Sequence, residues 1–383
     1  MRIAINARFL LSNKLEGLGW YTYEITKRLV EQHPDVEFVL FFDRAFDNRF
    51  VFGPNVTPVV LRPPARHPFL WIAWFEWSIR RALAKHKPDV FFSPDGFLCL
   101  GTDVPSVPVI HDLNFEHDGW FMPRLVRWYY RTFMPEFAST AAHVITISDF
   151  CRDDIHDRYH VAREQITRIY NGVNQDFHVQ SPEQRSAVQH RVADGDRYFV
   201  VVGAQHARKN IARMLMAFDR YCDTHGATHR LVLAGSNSGW DAEIISAYNG
   251  MKHQSRVVIT GHLPQAELVE VVGSADALLF VSLFEGFGLP AVEAMRAGVP
   301  VITSTTSCLP EVVADAALLC DPMSIDAICS AMHRITGDAS QREQLIAAGH
   351  ARAEAFSWDH AAEQVWNVLA AAARTTDVRR PTR

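Results

Sequence analysis

The chain has 383 residues, a length that predicts two or three domains. Hydrophobic residues make up 48% of it and charged residues 21%, which is typical of globular domains and excludes an intrinsically disordered chain. The formal net charge of -5 argues against a nucleic-acid-binding protein that is held by general neutralisation of phosphates.

Membrane-spanning and disulfide-rich classes are also disfavoured. The longest apolar run, residues 69–75, is far shorter than the ~20 residues that a membrane-spanning helix requires. The first seven residues predict a short strand and not a signal peptide. The six cysteines form no C-x-x-C pair, so we expect neither a zinc site nor a disulfide framework. These features predict a cytoplasmic protein.

Short apolar runs alternate with longer amphipathic segments along the chain. Runs of this length, separated by helical segments, are typical of parallel strands that are buried on both faces. Two such series predict an α/β protein with two doubly wound, Rossmann-like domains. The predicted strands are 3–7, 36–42, 56–61, 89–92, 107–110, 144–147 and 166–169 in the first half, and 198–203, 231–234, 257–260, 277–281, 299–303 and 317–320 in the second. A polar stretch predicts the domain break between residues 171 and 196.

A Gly-x-Gly pair, Gly17 and Gly19, follows the first strand. It lacks the full G-x-G-x-x-G spacing, so a dinucleotide-binding fingerprint is not supported. We expect a turn here, either a plain one or one whose backbone N–H groups approach a phosphate.

Two stretches mix aromatic and cationic residues. Residues 62–87 hold six lysines and arginines against Glu76 alone, interleaved with five tryptophans and phenylalanines, and residues 122–131 continue the pattern. Such a mixture is typical of a helix that lies on an anionic membrane surface. The alternative is that the aromatic side chains pack in the core and the cations line the surface.

Three further segments follow predicted strands, and ligands of open α/β sheets bind beyond the carboxyl ends of strands. His111 can hydrogen-bond a sugar hydroxyl or transfer a proton, whereas Asp112 more simply orients the loop. Arg208 and Lys209 offer a guanidinium and an ammonium group, which suit a pyrophosphate without a metal.

The last of these segments is the most informative. It reads Glu285-Gly-Phe-Gly-Leu-Pro-x-x-Glu293 and opens a predicted helix. The glycines permit close backbone approach to a ligand, and a helix N-terminus favours a phosphate. Glu285 and Glu293, placed on either side of this anion site, can bind hydroxyl groups of a sugar and of a ribose.

This segment resembles the signature of the retaining GT-B glycosyltransferases of family 4. Supporting segments run along most of the chain: Gly17–Gly19 with Tyr21, 109–112, 147–148, 169–173, 203–210 and 356–358. The resemblance implies an acceptor-binding domain at 1–178 and a nucleotide-sugar-binding domain at 179–357. It also implies that residues 358–383 form a helix returning to the first domain, up to about Ala373, followed by a basic tail.

The resemblance assigns roles to individual residues. Glu285 contacts hydroxyls of the donor sugar, Glu293 contacts the ribose, and Arg208 and Lys209 hold the diphosphate. His111 touches the transferred sugar near its anomeric carbon. The diphosphate is also bound by backbone N–H groups of Gly17, Gly19, Gly286, Phe287, Gly288 and Leu289.

The implied activity is retaining transfer of a hexose to a glycan or lipid-linked glycan in bacterial-type polysaccharide synthesis. The sequence contains no convincing nucleophile and acid/base pair of carboxylates, so front-face attack is favoured. GDP-mannose is the predicted donor from the resemblance, with a UDP-sugar as the alternative, and no metal or cofactor is expected. A sugar-nucleotide epimerase and a non-catalytic nucleotide-sugar sensor are the alternative functions.

Overall fold

The computed structural model describes residues 1–12, 15, 17–117, 122–226 and 228–377. For residues 375–377 it describes the backbone but not the side chains. The chain forms two compact units: unit 1 comprises Met1–Gly172 and Ser357–Arg383, and unit 2 comprises Val173–Phe356. The sequence predicted that the first domain ends at residue 178 and the second at residue 357, whereas the units divide after residues 172 and 356. Residues 378–383, which include most of the predicted basic tail, lie outside the described residues.

Unit 1 is built on a parallel sheet of seven strands in the order β3-β2-β1-β4-β5-β6-β7. Its strands, such as β2 and β4, carry Val, Leu and Phe on both faces, as fits a sheet that helices cover on both sides. The strands are β1 (Arg2–Asn6), β2 (Glu37–Phe42), β3 (Val56–Val60), β4 (Val90–Ser93), β5 (Ser106–Ile110), β6 (Val144–Thr146) and β7 (Ile166–Arg168).

The helices of unit 1 connect and cover these strands. They are α1 (Gly17–Gln32), α2 (Pro68–Ala73), α3 (Arg80–His86), α4 (Asn114–His117), α5 (Arg124–Thr140) and α6 (Asp149–Tyr159), with a π-helical segment, Trp74–Ile79, between α2 and α3.

Unit 2 repeats the architecture with a parallel sheet of six strands in the order β10-β9-β8-β11-β12-β13. The strands are β8 (Tyr198–Val202), β9 (Arg230–Ala234), β10 (Val257–Gly261), β11 (Ala277–Phe280), β12 (Val301–Ser304) and β13 (Ala317–Cys320). The predicted fold class of two Rossmann-like α/β units is confirmed, and each predicted strand matches an observed one within two residues.

The core of unit 2 is formed where helix α8 (Ile211–His225) packs on its sheet. Leu215 and Phe218 of α8 are fully buried there, and each contributes about 2–3 kcal/mol of hydrophobic burial. The helices are α7 (Pro182–Ala193), α8 (Ile211–His225), α9 (Ala242–Asn249), α10 (Gln265–Gly273), α11 (Leu289–Arg296), α12 (Leu309–Val313), α13 (Ile325–Gly337) and α14 (Ala339–Glu354).

The last helix, α15 (Trp358–Asp377), belongs to unit 1 and packs on α1. Arg28 of α1 bonds Asp359 at 2.6 Å, and the rings of His33 and Trp366 stack at 3.5 Å. The helix continues four residues beyond its expected end at Ala373.

The aromatic residues of 62–87 and 122–131 divide between core and surface. Trp74, Phe75 and Tyr129 are almost completely buried. Phe69, Trp77 and Trp128 are 60%, 65% and 45% exposed. The core-packing alternative is therefore confirmed for the buried rings, and the membrane-surface interpretation of the exposed rings stays a prediction. Within the described residues, no helix combines the length and the apolar character that crossing a bilayer requires.

Candidate active site

The loop after β8 carries Arg208 and Lys209 on a short 3-10 turn, Ala207–Lys209. Asn210 ends this turn with a φ of 61°, and its side-chain amide donates to the carbonyls of Val281 (3.0 Å) and Pro322 (2.8 Å). These two bonds tie the loop to the segments that follow β11 and β13. The buried Asn210 side chain therefore fixes the backbone of the loop that carries the two cations.

Arg208 and Lys209 meet Glu285 in a compact charged cluster. Lys209 Nζ donates to Glu285 Oε1 at 2.7 Å, and Arg208 Nη1 lies 3.1 Å from Oε2. Arg208 Nη1 also donates to the Phe284 carbonyl at 2.6 Å. The three side chains are only 9–17% exposed, so solvent screens their interaction weakly. The structure thus brings together three of the predicted site residues in direct contact.

The cluster has two consequences for proton occupancy. Burial disfavours the Glu285 carboxylate, but Arg208 and Lys209 outweigh that cost and hold its pKa at about 2. Burial, with the same two cations, lowers the pKa of His206 to about 4. At neutral pH the cluster therefore holds two positive charges and one negative charge beside a neutral imidazole. It retains a net positive charge, which attracts an anionic group.

The glycine-rich segment leads directly into α11. Gly288 has a φ of 99° and immediately precedes Leu289, the first residue of the helix. Residues other than glycine rarely adopt this φ, and a Cβ would also come within 2.8 Å of the Leu309 side chain, so this position favours glycine. Phe287 is buried, and its ring packs edge-on against that of Phe356 at 5.4 Å. The backbone around Gly286 to Leu289 is thereby fixed at a helix N-terminus, where anions are favoured.

Glu285 and Glu293 do not lie on one continuous helix. Glu285 precedes α11, whereas Glu293 is its fifth residue. The Glu293 side chain is partly buried, and burial raises its pKa from the ordinary 4.5 to about 7. The Glu293 carboxyl therefore titrates near neutral pH.

We expect Glu293→Gln to raise the stability of the protein at pH 8. A carboxyl whose pKa is raised in the folded state costs nothing below pH 4.5, and it destabilises the fold as pH rises towards and past 7. The gain is at most about 3 kcal/mol. Thermal melts from pH 4 to 8 measure it: the difference between variant and wild type should grow with pH. A difference that is constant across this range would contradict the raised pKa.

The remaining predicted residues lie in unit 1. Gly17 and Gly19 do not form the expected turn, because both belong to the first turn of α1. A Cβ on Gly19 would lie 3.0 Å from the Phe9 carbonyl, so this glycine serves close packing. Glu16, which precedes them, is outside the described residues. The first N–H groups of a helix lack intrahelical partners, so they can still serve as donors.

His111 follows β5 at the carboxyl edge of the unit 1 sheet. Its Nε2 lies 2.7 Å from the Pro94 carbonyl oxygen, and its ring meets Tyr21 edge-on at 4.9 Å. Burial lowers its pKa, so the imidazole is neutral at neutral pH.

Sequence reasoning missed several residues that shape the site. Ser307 Oγ accepts the backbone N–H of Glu285 at 3.1 Å, and Gln205 Nε2 donates to the Gly235 carbonyl at 3.1 Å. Trp240 Nε1 donates to Gln205 Oε1 at 2.7 Å. No residue pattern marks Ser307 or Trp240, since both reach the site from other loops. Within the described part of the chain, no group of three or more His, Cys, Asp or Glu side chains is arranged to hold a metal.

Two family models match the chain. The Glycosyltransferase Family 4 model matches residues 15–177, and the model for glycosyl transferases group 1 matches residues 182–352. A similar protein is O-antigen chain mannosyltransferase B of Escherichia coli, 28% identical over 92% of this chain and 95% of that protein. MMP alpha-(1->4)-mannosyltransferase of Mycolicibacterium hassiacum is 27% identical over 77% of this chain and 75% of that protein.

Solved structures show the same fold at low identity. Sucrose-phosphate synthase of Thermosynechococcus elongatus has a TM-score of 0.77 at 19% identity, covering 96% of this chain and 98% of that one. WaaG, a glycosyltransferase involved in lipopolysaccharide biosynthesis, has a TM-score of 0.76 at 15% identity, with coverages of 96% and 99%. Anabaena HepE in complex with UDP-glucose has a TM-score of 0.75 at 16% identity, with coverages of 97% and 100%. The chain is therefore a glycosyltransferase of family 4, with two parallel-sheet units of the GT-B fold.

Proposed function

We propose that this glycosyltransferase moves mannose from GDP-mannose to a lipid-linked glycan during cell-surface polysaccharide synthesis, at the cytoplasmic face of a membrane. The cluster of Arg208, Lys209 and Glu285 carries the proposal, because it is a buried, net positive site beside a helix N-terminus. The choice of mannose is supported by the relatives that are named as mannosyltransferases. The family assignment favours this function over an epimerase or a nucleotide-sugar sensor.

Unit 2 holds the donor in this proposal. Arg208 and Lys209 bind the diphosphate, together with backbone N–H groups of Gly286, Phe287, Gly288 and Leu289. Glu285 accepts hydrogen bonds from hydroxyls of the sugar, and Glu293 binds the ribose. In unit 1, His111 contacts the transferred sugar, and N–H groups at Gly17 and Gly19 add donors for the phosphate.

The chemical step retains the configuration at the anomeric carbon. The acceptor hydroxyl oxygen bonds to the anomeric carbon on the face from which the diphosphate leaves, and the bond from that carbon to the phosphate oxygen breaks. The departing phosphate oxygen takes the proton of the acceptor hydroxyl. Arg208 and Lys209 stabilise the negative charge that develops on the diphosphate, and no metal is required for this.

Transfer of radiolabelled mannose tests the function. We expect label from GDP-mannose to enter the lipid fraction of a bacterial membrane extract, with the product retaining the anomeric configuration. An inverted product, or isomerised free donor without transfer, would overturn the proposal. A UDP-sugar is the second candidate donor, because the similar HepE structure is a complex with UDP-glucose. Thermal-shift measurements with GDP-mannose and with UDP-sugars distinguish the two candidate donors. A ligand at 100 times its dissociation constant adds about 2.7 kcal/mol of stability.

We propose further that an anionic bilayer binds the aromatic-cationic surface of unit 1. Phe69 on α2 and Trp128 on α5 are exposed, and their ring centroids lie 6.5 Å apart. Most of the cations nearby in sequence are exposed: Arg62, Arg66, Arg80, Arg81, Lys85, Lys87, Arg124 and Arg131. Exposed aromatic rings insert at the headgroup level, and each nearby cation adds about 1 kcal/mol of attraction to anionic lipid.

We expect the combined variant Phe69→Ser, Trp77→Ser, Trp128→Ser to bind anionic vesicles at least about ten-fold more weakly, because each lost ring removes buried apolar area. Co-sedimentation with phosphatidylglycerol-containing vesicles measures the change. The matched control changes three exposed apolar residues of unit 2, Val179, Ile245 and Met323, to Ser. Equal losses in both combined variants, or no binding by the wild type, would contradict the proposal.

A further inference from the structure

A buried ion pair lies at the carboxyl edge of the unit 1 sheet. Arg8 follows β1 and Asp95 follows β4, the strand between β1 and β5 in the sheet order. The Arg8 Nε bonds Asp95 Oδ2, and the two side chains are 6% and 2% exposed. Removing two charges from water costs several kcal/mol, so such a pair is weak evidence for a purely stabilising role.

Asp95 holds the turn that follows β4 in one conformation. Its Oδ1 accepts from Ser93 Oγ at 3.1 Å and from the Phe97 backbone N–H at 3.2 Å. Gly96, with a φ of 86°, donates its N–H to the Ser93 carbonyl at 3.2 Å. One carboxylate thus bonds both ends of the turn and the segment after β1. The backbone between Ser93 and Phe97 has little freedom to move.

The Arg8 guanidinium is itself confined. Its carbon lies 4.4 Å from the ring centroid of Phe97 and 4.9 Å from that of Phe9. These cation–π contacts, with the Asp95 carboxylate, fix the cation in place. Arg8 therefore acts as a rigid support for Asp95 and is enclosed away from solvent.

The turn presents one backbone carbonyl to His111. Pro94, between Ser93 and Asp95, accepts from His111 Nε2 at 2.7 Å. A carbonyl oxygen can only accept, so the proton is on Nε2. In a neutral imidazole, Nδ1 then carries the lone pair and can accept a hydrogen bond. The position of the Pro94 carbonyl thus selects the tautomer of His111.

We propose that Asp95, supported by Arg8, is a positioning residue that holds the Pro94 carbonyl and so keeps His111 in the Nε2–H tautomer, with Nδ1 ready to accept a hydroxyl of the donor sugar. The hydroxyl contact rests on the proposed function, whereas the tautomer does not. Asp95 touches no substrate in this account and acts only through the turn and His111.

The tautomer is tested in the protein without donor, so this arm is independent of activity. Ring ¹⁵N spectra of histidine-labelled protein should show one protonated and one unprotonated nitrogen for His111, assigned by their loss in His111→Ala. In Asp95→Ala we expect these two signals to move towards each other as tautomers mix. If Asp95→Ala fails to fold, the double variant Arg8→Met, Asp95→Asn takes its place, and the same movement of the two signals is expected. Signals that stay unchanged in the variant would overturn the proposal.

A double-mutant cycle separates positioning from simple destabilisation. We expect Asp95→Ala to lower kcat for transfer about ten- to hundred-fold in the wild type and to have little further effect in His111→Ala. The control is Asp276→Asn, which changes a buried, ion-paired aspartate of unit 2. This variant should lower thermal stability, and its effect should be the same with and without His111. If Asp95→Ala lowers kcat by the same factor with and without His111, the positioning role is wrong. If Asp95→Ala changes the tautomer but the wild type shows no measurable transfer, the proposed function is refuted and the positioning role is not.

Discussion

Lys209→Ala is expected to lower kcat for transfer about 10²- to 10³-fold, the usual cost of removing one preorganised charge from a developing anion. The Lys209 ammonium is largely buried and already desolvated by its contact with Glu285. It therefore stabilises a departing diphosphate without a large reorganisation. Steady-state transfer from the preferred nucleotide sugar measures the change, with thermal melts to verify the fold.

The matched control is Lys252→Ala. Lys252 also pairs with a carboxylate, Asp223 at 2.6 Å, but its side chain is 71% exposed. An exposed pair contributes little to stability, and Lys252 is not among the residues of the proposed donor site, so we expect kcat within about two-fold of the wild type. Near-normal turnover in Lys209→Ala would exclude a role for this ammonium at the diphosphate.

The strands were predictable because their signal is local. A strand buried on both faces must be apolar throughout, and such runs stand out between amphipathic segments. Helix α7 was not anticipated, since its sequence Pro182–Ala193 is mostly polar and buries only Val188 and Ala193. The start of α7 does carry a sequence signal, because Ser181 and Gln184 form a capping box on either side of Pro182.

The site was only partly predictable. The residue types and their place after strands indicated an anion site, but the contact between Lys209 and Glu285 joins residues 76 positions apart. No spacing rule predicts that contact, nor that Asn210 anchors the loop. The turn expected at Gly17 and Gly19 was wrong because glycine is tolerated at a helix start, where packing near Phe9 requires a small residue.

Exposure of the aromatic residues could not be predicted from composition. The helical stretch that starts at Pro68 changes to π-helical geometry at Trp74–Ile79, so side chains no longer follow the 3.6-residue period. Trp74 consequently lies in the core, whereas Trp77 is exposed. Composition alone does not reveal this change of local geometry, so it does not show which rings remain at the surface.

Glu285→Gln is expected to separate binding of the diphosphate from transfer. The carboxylate neutralises part of the charge on Arg208 and Lys209, and its pKa of about 2 keeps it ionised throughout the neutral range. An uncharged amide of the same size leaves both cations available to a phosphate. We expect nucleoside diphosphate to bind as tightly as in the wild type or more tightly, by calorimetry with GDP and UDP in parallel.

Transfer should fall in the same variant by about 10- to 100-fold in kcat, because the amide accepts a weaker hydrogen bond from the sugar than a carboxylate does. The Glu285 carboxylate also contributes to the free energy of unfolding. This contribution is present above pH 4.5 and is lost only as pH falls towards 2. The loss of stability in the variant should therefore be constant from pH 5 to 9. Glu343→Gln on the exposed surface of α14 is the control and should change neither quantity. If diphosphate affinity and kcat decrease together, Glu285 serves mainly to hold the two cations in place; if binding is kept while transfer falls, it acts on the sugar.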